Sequence, residues 1–148
     1  MQDTPVQSPF HYRRPIRWGD TDAAGIVYTA HYFDICMEAI EGWFLEVFEF
    51  DWFSMSQDQG IGSPFVHAEV DFHAPLTPRD TLLVSVDVER LGNSSLSLRL
   101  TGLREHGHQR TFTGHFTCCF NDLNSFTKIS IPQELRHRIE TYQRRCTD

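Results

Sequence analysis

From Tyr32 onward the apolar side chains recur at steps of three and four: Tyr32, Ile35, Cys36, Ala39, Ile40, Trp43, Phe44 and Val47. At 3.6 residues per turn this spacing gathers them into one stripe along a helix of about five turns. Asp34, Glu38, Glu41 and Glu46 fall mostly off the stripe, so the helix is amphipathic. A stripe so long and so aromatic needs cover along its whole length, which a sheet supplies.

The sheet is written downstream, where the period changes to two. Val66, Ala68, Val70 and Phe72 make a strand that ends before Pro75, and Leu82, Val84, Val86 and Val88 make the next. Leu96, Leu98 and Leu100 alternate with Ser95, Ser97, Arg99 and Thr101, and Phe112, Phe116, Cys118 and Phe120 give a fourth. Gly92-Asn93 and His106-Gly107-His108 supply hairpin turns. Ahead of the helix, His11 to Trp18 reads as extended; after it, Asp51 to Ser63 holds a short helix and two glycines. Ile131-Pro132 leads into a terminal helix from Gln133 to about Arg145, whose basic last turn suits the helix dipole. This order predicts an α+β domain, with four meandering antiparallel strands curved around one long helix. Residues 1–10 read as a flexible tail and 11–148 as a single domain.

Composition narrows the functional classes. A chain of 148 residues with 40% hydrophobic residues and 12 Phe has a core to build and is not a disordered tail. The 13 Lys and Arg against 20 Asp and Glu leave a formal charge of -7, which repels nucleic acid and anionic membrane. No apolar run approaches the ~18 residues of a membrane span, and the polar start of the chain does not read as a signal peptide. The expectation is a cytoplasmic protein with neither nucleic acid nor membrane as partner. Cys36, Cys118, Cys119 and Cys146 have neither metal-site spacing nor disulfide density and read as free thiols, the adjacent pair pointing to opposite faces of a strand.

The segment Gly19-Asp20-Thr21-Asp22-Ala23-Ala24-Gly25-Ile26-Val27-Tyr28 joins the first extended stretch to the long helix. An Asp in a Gly-rich loop most often makes an Asx-turn or caps a helix. The same parts also have a chemical reading. A helix N-terminus offers unpaired N–H groups that bind an oxyanion, and a carboxylate nearby acts as nucleophile or base. Those two parts suffice for acyl transfer.

Asp20-Thr21-Asp22-Ala23-Ala24-Gly25-Ile26-Val27-Tyr28, with Tyr32 after it, resembles the signature of the 4-hydroxybenzoyl-CoA thioesterase family of hotdog-fold enzymes. Val70-Asp71-Phe72-His73-Ala74-Pro75-Leu76, followed by Asp80, resembles a second block of that family. The resemblance implies a hotdog fold and hydrolysis of an acyl-CoA thioester. It implies that Asp22 is the catalytic nucleophile or general base, that the Thr29 N–H polarises the thioester carbonyl, and that Gly25, Tyr28 and His31 serve the substrate; Arg90 is the basic residue expected, from its charge, to meet the CoA. It implies no metal and no cofactor, coenzyme A being part of the substrate. It further implies a homodimer or tetramer whose sheets join edge to edge, with pockets between subunits. Family members often carry His or another ring-bearing residue near the position of Thr29 and Asn at that of His31, and many have Gln or Arg at that of Pro15.

Other constellations have plainer readings. Arg90, Arg99, Arg104 and Arg110 could line a groove for CoA phosphates, although arginines on outward strand positions are more often surface. His67, Glu69, Asp71 and His73 project from one strand face, and a straight row spaced ~7 Å apart does not converge on one metal ion. Glu38 and Glu41 are rival carboxylates on the long helix. Two other functions stay open: a hotdog hydratase or dehydratase using His31 or His73, and a non-catalytic acyl-CoA-binding module.

Overall fold

The computed structural model describes residues 9–147. β1 (Phe10–Pro15) is followed by a 3-10 turn (Trp18–Asp20), the long helix α1 (His31–Phe48) and the short helix α2 (Trp52–Gln59). Then come β2 (Ile61–Gly62), β3 (Phe65–Phe72), β4 (Thr81–Leu91), β5 (Ser95–Arg104), β6 (Arg110–Cys119), β7 (Asn121–Asp122), β8 (Thr127–Lys128) and the terminal helix α3 (Gln133–Thr147). The tail expected over residues 1–10 lies largely outside the described residues, and Phe10 already belongs to β1, paired with Val86. No helix among the described residues is long and apolar enough to cross a membrane.

The main sheet is antiparallel with strand order β1-β4-β5-β6-β3, and β2-β7-β8 form a small second sheet. The expected meander therefore holds for β4, β5 and β6, but β3 is not beside β4. β1 occupies that flank of β4, and β3 crosses to the far edge to pair with β6. Among the described residues no strand covers the other edge of β3.

Helix α1 packs against one face of the main sheet. Ile35, Cys36, Ala39, Ile40, Trp43, Phe44 and Phe48 are all buried against Leu82, Val84, Val86, Leu96, Leu98, Leu100, Phe112 and Phe116. The stripe ends on Phe48 rather than Val47, which is half-buried: Phe48 continues the i+4 row from Ile40 and Phe44, which keeps it over the sheet. Close approach is needed at Gly102, where a Cβ would sit 2.2 Å from the Phe112 ring of the neighbouring strand. Glu49 ends α1 in the left-handed region (φ 63°) and returns its N–H to the Leu45 carbonyl. Asp51 caps α2, its carboxylate accepting the Ser54 N–H at 2.7 Å.

Helix α3 closes the end of the core. Tyr142 packs edge-on to Trp43 at 5.5 Å, accepts the Phe10 N–H at 2.8 Å and donates to the Val86 carbonyl, so one phenol ties α3 to the start of β1 and to the middle of β4 where the two strands pair. No disulfide joins any two cysteines among the described residues. Burial pushes the Cys36 and Cys118 thiols up to about 12, which leaves neither as a thiolate nucleophile at neutral pH.

Candidate active site

The loop from Asp20 to Ala30 folds back on itself. Thr21 bridges Val27, the Asp22 N–H donates to the Ile26 carbonyl at 2.9 Å, and the Gly25 N–H returns to the Asp22 carbonyl at 3.0 Å. Gly25 adopts φ +80°, a left-handed conformation that glycine enters without steric cost. Val27, buried, donates its N–H to the Leu76 carbonyl at 3.0 Å, which anchors the loop to the chain leading into β4.

The two acids of this loop have opposite environments. Asp20 is 7% exposed and carries four polar contacts. Arg14 on β1 meets it with both terminal nitrogens, at 2.8 and 3.1 Å, the Arg17 N–H donates at 2.8 Å, and His31 Nε2 lies 2.8 Å from Oδ1. The Arg14 guanidinium is the main cause that holds the Asp20 carboxyl well below the usual carboxylate range; burial opposes it, and the Arg17 N–H and His31 add to it. Asp22, in contrast, is exposed, and its Oδ1 accepts the Ala24 N–H at 2.9 Å in an Asx-turn. Sequence spacing marked both acids but did not show which of them is neutralised.

Asp20 also sets an acid dependence. With its proton affinity lower in the folded than in the unfolded chain, its stabilisation is complete above the ordinary Asp value of ~3.9 and drains away as pH falls below it. The expected result is that the melting temperature of the wild-type protein drops more steeply than that of Asp20→Asn as pH is lowered from about 4 to 2. Calorimetry across that range checks it, and equal slopes would refute the assignment.

Helix α1 begins at His31, with Ala30 as its N-cap and no side chain capping it. The Tyr28 N–H donates to the Asp20 carbonyl at 3.0 Å, and the N–H groups of His31, Tyr32 and Phe33 turn back to the carbonyls of Tyr28, Thr29 and Ala30. Among the described residues, the Thr29 and Ala30 N–H groups meet no acceptor. Two adjacent free donors at the positive end of an 18-residue helix are the parts that an oxyanion requires. They adjoin a recess of about 290 Å³ lined by Ile26, Thr29, Tyr32, Phe72, His73 and Pro75. Tyr32 forms its floor, packed edge-on to Phe72 at 4.9 Å and Phe112 at 5.5 Å.

The remaining sequence-marked residues divide by position. Tyr28 is exposed beside Thr29. The His31 ring is engaged on both sides, by Asp20 and by Asp34 at 3.2 Å, and His73 Nε2 faces Thr113 Oγ1 at 3.0 Å. Arg90 is exposed near the far end of β4, about 30 Å along the strand from Thr81, where β1 hands over to the loop. Arg104 is held by Asp80 and the Pro75 carbonyl. Glu38 is committed to Arg14 Nε at 2.8 Å and to the Tyr12 hydroxyl at 2.9 Å, whereas Glu41 is exposed.

Two features had no sequence signal. Arg14 lies in an extended segment, and nothing local marks it as the partner of Asp20. On the outer sheet face, register brings His115 of β6 opposite Glu69, so that donor atoms of Glu69, Asp71 and His115 lie within 4.8 Å of one another, and His115 Nδ1 is 3.0 Å from Glu89. A row along one strand does not converge; a neighbour on the next strand does what spacing along β3 could not.

A second recess, of about 470 Å³ and mostly apolar, lies between α1, α2 and the start of β3, lined by Met37, Glu41, Trp52, Phe53, Met55 and Phe65 among others.

The sequence profile of the Thioesterase-like superfamily matches residues 16–139. A 1,4-dihydroxy-2-naphthoyl-CoA hydrolase from Nostoc punctiforme is 33% identical over 136 residues, 91% of this chain and 89% of that protein. The crystal structure of a thioesterase superfamily protein from Jannaschia sp. CCS1 superposes with a TM-score of 0.85 at 36% identity, covering 95% of this chain and 96% of that one. That of a 1,4-dihydroxy-2-naphthoyl-CoA thioesterase from Synechocystis superposes with a TM-score of 0.81 at 25% identity, covering 88% and 94%.

Proposed function

The chain belongs to the Thioesterase-like superfamily, and from that premise we propose that it hydrolyses an acyl-CoA thioester to the free acid and CoA. The observation that carries this reading is the pair of free N–H groups at Thr29 and Ala30, on the same folded loop as the exposed carboxylate of Asp22 and beside an apolar recess. A thioester carries a good leaving group, so positioning, a polarised carbonyl and one carboxylate suffice. The carbonyl oxygen is taken by the Thr29 N–H, which strengthens its hold as negative charge develops. Asp22 either removes a proton from a water that attacks the carbonyl carbon and passes it to the departing thiolate, or attacks the carbon itself to form an acyl-aspartyl anhydride that a water then hydrolyses, its proton going to the thiolate. In both, the C–S bond breaks, CoA leaves as the thiol and the acyl group as the free acid. Gly25 lets the loop turn so that Asp22 and Thr29 belong to one unit, and Tyr28 and His31 border the substrate.

The functional unit in this reading is a homodimer joined through β3. Its open edge carries Val66 and Phe72, 64% and 49% exposed, which a second copy would cover. Phe65 and Phe72 lie at opposite ends of β3, so antiparallel self-pairing brings the Phe65 end of one protomer towards the Phe72 end of its partner. The recess of Trp52, Phe53 and Phe65 then approaches the partner's loop as a place for the acyl group, and Arg90 would reach the CoA from the other protomer. The aromatic lining and the names of the relatives favour an aryl acyl group over a short or medium alkyl chain.

A free-thiol assay over a panel of aryl- and alkyl-CoA esters, with 1,4-dihydroxy-2-naphthoyl-CoA among the aryl members, tests this. The expected result is stoichiometric thiol release, fastest with the aryl esters. Conversion of the acyl group with the thioester intact would favour a hydratase, and binding without any turnover would favour a carrier module.

A further inference from the structure

Resting on the reading of Asp22 and Thr29 as the working groups, we infer that Asp20 is the positioning residue of this site, closing the loop that carries both of them into a ring. It does so with two different groups. Its backbone carbonyl accepts the Tyr28 N–H at 3.0 Å, one residue before Thr29, and its carboxylate reaches His31 at 2.8 Å, one residue after Ala30. The segment 21–30 is thus gripped at both ends by one residue. Within the ring, the Asp22-to-Ile26 hydrogen bond and the Thr21–Val27 bridge set where Asp22 stands relative to the free N–H pair.

The grip is fixed to the scaffold rather than floating. Arg14 holds both carboxylate oxygens of Asp20 and, through Nε, Glu38 two turns along α1. The Arg17 N–H takes the remaining approach to Oδ2 at 2.8 Å. Strand β1, the loop and helix α1 therefore share one cation, and any shift of the loop against the helix must break charge-assisted hydrogen bonds in a mostly buried setting. Asn at position 20 keeps the backbone carbonyl contact but replaces one acceptor oxygen by a donor that faces Arg14, the Arg17 N–H or His31. The expected consequence is a loop displaced by a fraction of its own width, and misplacement of about 1 Å is enough to cost ~10²-fold in rate.

The test uses the full-length protein. In Asp20→Asn, kcat for thiol release is expected to fall ~10²-fold with KM little changed. Amide hydrogen exchange is expected to accelerate over residues 21–30 while Ile35 to Phe44 keep their protection. The double variant Arg14→Met with Asp20→Asn removes the orphaned guanidinium: it is expected to recover melting temperature while kcat stays low. Recovery of kcat along with stability would reduce Asp20 to a charge partner and overturn the inference, as would unchanged exchange over 21–30 in the single variant. Failure of the underlying reading looks different. Wild-type protein without thiol release, or Asp22→Asn with full turnover, would remove the chemistry while the exchange measurement still reported whether Asp20 holds the loop.

Discussion

Asp22→Asn is expected to lower the turnover of the proposed acyl-CoA hydrolysis by ~10²- to 10⁴-fold, the range lost when a general base or nucleophile is removed. The carboxamide has no basic oxygen of comparable strength and no charge with which to attack a carbonyl. It keeps the local structure, because its carbonyl oxygen can accept the Ala24 N–H that Asp22 Oδ1 accepts at 2.9 Å. The surrounding backbone bonds of Asp22, to Ile26 and from Gly25, do not involve the side chain. Circular dichroism and the melting temperature are therefore expected to match the wild type while steady-state thiol release collapses. KM for the ester should change little, since in the proposed reaction the carboxylate acts at the reacting carbon rather than on binding. Turnover within a few-fold of the wild type would take Asp22 out of the chemistry and leave its Asx-turn as its whole role.

Trp43→Ala is expected to destabilise the fold by about 3–5 kcal/mol, the usual cost of deleting a buried indole. Trp43 has no exposed surface and makes edge-on contacts with Phe44 at 5.6 Å, Phe48 at 5.8 Å and Tyr142 at 5.5 Å, so its removal leaves a cavity among rigid rings that cannot close. Trp43→Phe is expected to cost much less. It retains one aromatic ring, and it removes an indole N–H that is buried without an acceptor among the described residues. Urea unfolding of the three proteins checks the order. A midpoint for Trp43→Ala equal to that of the wild type would mean that α1 is not held by this cluster. The effect reaches the candidate site because the same helix presents Thr29 and Ala30 at its head: a helix free to slide on the sheet cannot hold two N–H groups to within the fraction of an ångström that transition-state binding needs.

The elements themselves were legible in the sequence because each rests on a local period. The three-and-four spacing from Tyr32 specified α1 within a residue or two, and the alternation of Leu82 to Val88, Leu96 to Leu100 and Phe112 to Cys118 specified β4, β5 and β6. The stretch from Asp51 to Ser63 reads as holding a short helix ahead of Gly60, and α2 lies within it, though its cap at Asp51 is seen only in the structure. The two-residue strands β2, β7 and β8 were not legible, since a period needs more than one repeat to register. Nor was the alternation of β3 a guide to its burial. Val66 and Phe72 lie on an edge strand that the helix does not fully cover, so the pattern that elsewhere marks a core face here leaves apolar surface open.

At the candidate site the same division holds. The run Asp20-Thr21-Asp22 with Gly25 identified the loop and its place before the helix, because turn-forming residues act through their own backbone. The family likeness of that run belongs to the sequence as well, and so does the choice of Asp22 over Asp20 that it implies. Tertiary structure alone decided that Asp20 is the buried acid, that Arg14 and Glu38 complete its network, that His31 turns to it, and that β3 pairs with β6 rather than with β4. Each of these depends on strand order and on charges meeting across the fold. A side chain's partner is set by where distant segments are folded against it, and no local pattern records that.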